Sequence, residues 1–143
     1  MNQADLQRLA AERIEDAKVL LAGGRWEFAY YSAGYAVECA LQTCVLARMV
    51  YTGWVFKEKW KASDCLTHEP GELVRLAGLE AELDGRIKTG AAANDQFLTN
   101  WTRVSDWKVT SRYEAKTQDE ARDLFEAIIS NGDGVLPWIK MYW

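Results

Sequence analysis

Arg112 and Tyr113 have the residue types best suited to chemistry in this chain. A guanidinium carries a permanent charge and a fork of donors that matches phosphate oxygens. Arg103, Lys108 and Lys116 stand close by in sequence. From Trp101 to Lys116 there are four basic residues and two acidic ones, Asp106 and Glu114, a local charge of +2 inside a chain of net charge −4. A phosphate pocket would need that local excess. The plainer reading is an ion pair between Arg112 and Asp106 or another carboxylate, with Tyr113 packed beneath it, because structural ion-pair networks assemble the same residue types.

Glu38 poses a second question. Tyr31, Tyr35 and Gln42 lie seven, three and four residues from it, which puts all four side chains on one face if the segment is helical. Such a face could line a polar ligand cleft or a dimer seam. The plainer reading is a hydrogen-bond cluster whose phenols and amide satisfy a buried carboxylate. His68, the single histidine, precedes Glu69 and Pro70, where turn formation or helix capping explains it. One imidazole supplies neither a nucleophilic triad nor a metal constellation. Cys39, Cys44 and Cys65 form no CxxC pair and read as reduced, buried thiols, so neither a metal nor a cofactor is expected. Trp54 and Trp60 beside Lys57, Lys59 and Lys61 could form a stacking and charge patch, although a solvated loop is the simpler description.

These groups must be carried by helices. Leu6, Leu9, Ala10, Ile14, Ala17, Leu20 and Leu21 recur at helical spacing, and Gly23-Gly24 ends the run. From about Trp26 to Val50, a small-residue stripe (Ala29, Ala33, Ala36, Ala40, Cys44, Ala47) runs beside a larger one (Tyr30, Val37, Leu41, Val45). Two adjacent stripes bury a wide arc, which predicts the central helix of a bundle. A helical region broken at Gly78 follows, then a flexible break over Thr89–Asp95 and a restart at Phe97, Trp101 and Val104. Thr117 and Glu120 form a capping box ahead of Ala121, Leu124, Phe125, Ile128 and Ile129. Asn131-Gly132-Asp133-Gly134 stops that helix, and Pro137 fits the first turn of a last segment. No alternating strand pattern competes.

Composition sets the outer bounds. The 143 residues fit one domain, and 49% hydrophobic content with seven Trp, six Tyr and four Phe suffices for a core. A net charge of −4 excludes bulk charge attraction to nucleic acid and leaves only local contact. The N-terminus is too charged for a secretory signal and no stretch of about 18 apolar residues occurs, so a cytoplasmic protein that crosses no membrane is expected.

The stretch FAYYSAGYAVECALQTCVLARM (28–49) resembles the second helix of HEPN domains, helical bundles that bind nucleotides or process RNA. THEPGELVRLAGL resembles that family's next helical start. DWKVTSRYEA and GVLPWIKMYW resemble its later Trp, Arg-Tyr and terminal Trp-Ile patterns. The resemblance implies an all-α, antiparallel up-and-down bundle of about five helices over residues 1–143, usually a homodimer. Active members cut RNA with an Arg and a His separated by four to six residues. Arg112-Tyr113 matches the first half, but Thr117, Gln118 and Asp119 stand where the histidine would fall. None of those side chains can shuttle a proton as imidazole does near neutral pH. The expectation is therefore a noncatalytic or degenerate module binding RNA, a nucleotide or a protein partner. Two alternatives stand beside it. One is a metal-independent ribonuclease toxin that uses Arg112 and Tyr113 with His68 or Glu38 from a dimer mate. The other, implied by the family alone, is an accessory subunit of a nucleotidyltransferase pair.

Overall fold

The structure, a computed structural model, describes residues 1–52 and 67–143. The patch of Trp54, Lys57, Lys59, Trp60 and Lys61 and the thiol of Cys65 lie outside the described residues. Those described form seven α-helices and no strand: α1 Gln3–Ala22, α2 Trp26–Thr52, α3 Pro70–Ala77, α4 Glu80–Ala92, α5 Phe97–Ser105, α6 Gln118–Ile129 and α7 Val135–Lys140. A 3-10 segment, Val109–Tyr113, lies between α5 and α6. The all-α bundle expected from hydrophobic periodicity is present. Its count exceeds five because Gly78, at φ 72°, splits the middle region into α3 and α4, and because the C-terminal segment forms α7.

Local signals bound α1 and set the entry into α2. Asn2 caps α1, its side chain accepting from the Asp5 N–H at 2.9 Å while the Asp5 carboxylate accepts from the Asn2 N–H at 3.1 Å. Gly23 and Gly24 then turn the chain straight into α2, and so short a connection makes α1 and α2 a helical hairpin. α6 opens with the expected box, the Thr117 hydroxyl accepting from the Glu120 N–H and the Glu120 carboxylate accepting from the Thr117 N–H at 2.7 Å. The break expected over Thr89–Asp95 is shorter. α4 runs on to Ala92, and Asp95 holds the turn by accepting from the Phe97 N–H and pairing with Arg86 at 2.9 Å.

α2 is the central helix. It packs against α1, α3, α6, α7 and the 3-10 segment, which is what two apolar stripes on one helix require. Ala29, Ala33, Ala36, Val37, Ala40, Leu41, Cys44 and Val45 are all buried. Gly34 sits where α2 meets Trp107, and a Cβ there would overlap the indole ring. Trp107 is itself fully buried. This close approach fixes the chain just ahead of Arg112.

Candidate functional site

Trp107 anchors a tight turn. The Ser111 N–H donates to the Lys108 carbonyl at 2.9 Å, the Glu114 N–H donates to the Ser111 carbonyl at 3.1 Å, and the Ser111 side chain is buried. That geometry leaves Arg112 and Tyr113 on the surface, Tyr113 at 77% exposure. The Arg112 guanidinium carbon lies 5.9 Å from the Tyr31 ring centre and 4.9 Å from that of Tyr113, within cation-π range of both. The expected pair with Asp106 does not form, and among the described residues no ion pair involves Arg112. Tyr113 lies beside the guanidinium as an exposed ring and not as buried packing.

Arg112 and Tyr113 border a cleft of about 530 Å³ that is also lined by Gly24 and Arg25 of the turn between α1 and α2 and by Glu27 and Phe28 of the first turn of α2. The first hydrogen bond of α2 runs from the Ala29 N–H to the Arg25 carbonyl, so the Trp26, Glu27 and Phe28 N–H groups have no acceptor within the helix. Positive charge therefore comes from two guanidiniums and from the start of a 27-residue helix. Of the two carboxylates in the lining, Glu114 is drawn off by Lys116 at 3.2 Å, and Glu27 remains. Phe28, 57% exposed, and Tyr113 place two aromatic faces at the rim.

The other basic residues expected around Arg112 are dispersed. Lys116 lies 4.5 Å from the Tyr30 ring centre and, with Arg103, Asp106, Glu120 and Asp123, lines a separate cleft of about 180 Å³. Its charge is balanced there by three carboxylates, and burial raises the Tyr30 phenol above its ordinary value. Lys108 is exposed and lines neither cleft.

The polar face of α2 is only partly the expected cluster. Gln42 donates to Glu38 at 3.1 Å, but neither phenol reaches the carboxylate. Tyr31 and Tyr35 stack on each other, centres 6.0 Å apart and planes 10° from parallel, and Tyr35 interacts with the Cys39 thiol. The second partner is His68, whose Nδ1 lies 2.9 Å from Glu38 Oε1. His68 thus does not cap α3, which has Glu69 at its cap position and no side-chain bond there. Burial pushes the Glu38 carboxyl above its ordinary value, while His68 and Gln42 pull in the opposite direction. The Cys39 and Cys44 thiols are free, buried, and pushed up to about 11 and about 12 by burial, so neither is a ready nucleophile.

Within the described residues no three His, Cys, Asp or Glu side chains gather as metal ligands, and no helix is long and apolar enough to cross a membrane. Arg25 and Phe28 belong to no motif, and the one sequence signal for them is Gly-Gly-Arg ahead of a helix, the pattern of an anion-binding helix start. The Glu38–His68 pair bridges 30 residues and left no sequence signal. Compared with protein-family models, with curated proteins and with solved structures, the chain gives no significant match to any of them.

Proposed function

We propose that this chain is a noncatalytic, HEPN-like module that binds RNA or a nucleotide through its phosphate at the Arg112 cleft. The observation that carries this reading is the Arg112 guanidinium. It is held by two tyrosine rings, has no carboxylate partner among the described residues, and shares the cleft with Arg25 and the start of α2. A guanidinium used only for structure normally meets a carboxylate, whereas one kept clear of carboxylates is available to a ligand anion. The rim rings of Phe28 and Tyr113 offer faces on which a base can stack. The homodimer belongs to the same proposal and rests on the resemblance of residues 28–49.

RNA cleavage is not part of it. Within one chain Arg112 lies over Tyr31, while His68 is engaged at Glu38, about two turns further along α2, so a single chain does not bring the two onto one phosphate. Arg and His acting on one phosphate must both reach it.

The test is fluorescence anisotropy with a labelled single-stranded RNA and with a labelled nucleoside monophosphate, at fixed ionic strength. Binding of at least one probe, weakened about tenfold or more by Arg112→Ala with helicity retained, is expected from the loss of a charge-assisted contact. Absence of binding to both probes, with co-purification of a nucleotidyltransferase subunit, would replace the proposal with the protein-partner reading. RNA degradation lost in Arg112→Ala would replace it with the ribonuclease reading.

A further inference from the structure

The Glu38–His68 contact takes no part in the Arg112 cleft. It ties the middle of α2 to the turn that leads into α3. The two ends are unequal: the Glu38 side chain is 3% exposed and that of His68 is 51% exposed. Both donors, His68 Nδ1 and Gln42 Nε2, converge on Oε1, while the buried Oε2 has no hydrogen-bond partner among the described residues. An ionised carboxylate only accepts, so Nδ1 carries the hydrogen. When ionised, Glu38 is a buried charge with one oxygen satisfied, held in part by a ring that water can also reach.

We propose that this contact is a proton-sensitive clasp, holding the start of α3 against α2 while Glu38 is ionised and releasing it when Glu38 takes up a proton. The charged and titratable groups around it leave that role to Glu38. On α2, Tyr35 and Cys39 stay neutral, the thiol being pushed up to about 11. On α1, Arg13 acts on Cys39 and is paired with Asp16 at 3.1 Å. On the α3 side, Glu69 adjoins His68, and Glu72 is paired with Arg75 at 2.9 Å. On protonation the acceptor falls from a carboxylate to a neutral carboxyl, and the contact to a half-exposed ring loses its charge assistance. The ring then leaves for solvent. Leu73, one turn into α3, lines a groove of about 270 Å³ with Gln42, Val45, Leu46 and Met49, so release of the α3 start widens an apolar groove on α2.

Acid has two opposed effects in this device. Locally the clasp opens. Globally the fold gains, because a buried carboxyl with a raised pKa takes its proton more readily folded than unfolded. Hydrogen exchange on the full chain, followed from neutral to acid pH and corrected for the intrinsic rate, separates the two. The Leu73 amide, which donates to the Glu69 carbonyl at 3.0 Å, is the reporter. Its protection should fall roughly tenfold as Glu38 protonates, the scale of a lost hydrogen bond to a charged group, while the urea midpoint does not fall. Glu38→Gln keeps the side chain neutral and should show the low protection at every pH. His68→Asn, which leaves the buried residue intact, should do the same if Glu38→Gln does not fold. Wild-type protection that stays constant, or that falls equally in both variants, would overturn the clasp.

Discussion

Arg112 owes its availability to what surrounds it. Two tyrosine rings hold its guanidinium by their faces, an interaction that leaves the N–H donors free, whereas a carboxylate would have used them. Arg112→Lys keeps the charge and loses the planar fork, so an affinity between wild type and Arg112→Ala is expected in the same anisotropy titration. Burial raises the pKa of Glu38, so between the ordinary value and the raised one the folded chain binds the proton that the unfolded chain releases. Stability then falls as pH rises through that window. Glu38→Gln removes this titration together with the buried charge that burial disfavours. Urea unfolding across pH should therefore show a flatter profile and stability at neutral pH no lower than wild type. A marked loss of stability at neutral pH would mean that the ionised pair stabilises the fold.

Among the elements, the 3-10 segment and α2 position the cleft together. Trp107 fits against α2 only because residue 34 has no side chain, and the turn that presents Arg112 is built directly on Trp107. Gly34→Ala should cost about 1–3 kcal/mol by overpacking, even though alanine is the better helix former. The same substitution should weaken RNA or nucleotide binding without touching a cleft residue, as the 3-10 segment is displaced. Denaturant titration and anisotropy on one sample check both effects. Unchanged stability would show that the Trp107 ring can shift at little cost.

For the whole molecule, an acidic chain that uses a small basic cleft should bind with a shallow salt dependence. A single-stranded ligand contributes a slope of about −0.7 per neutralised phosphate in a plot of log affinity against log salt. Two arginines facing one cleft fit a slope set by one or two phosphates, and a much steeper slope would point to a surface beyond Arg25 and Arg112. Stability should depend above all on α2, which contacts most of the other elements. Leu41→Ala, at a fully buried position of that helix, should cost about 2–5 kcal/mol in urea unfolding.

Most of the helices are legible in the chain because their signals are local: apolar spacing in α1 and α2, glycine at 78, the Thr117–Glu120 box, and glycines after α6. The sequence also marks Arg112 and Glu38 as residues needing an explanation. Their partners come from the packing of distant segments. Asp106, six residues from Arg112 in sequence, faces a different cleft, while Arg25, 87 residues away, shares the same one. His68, which reads locally as a turn residue, meets Glu38 because α3 packs on α2. Helix formation is governed by neighbours within a turn or two. A site is governed by which helix faces meet, and that follows from packing of the whole apolar core, to which no single stretch of chain holds the key.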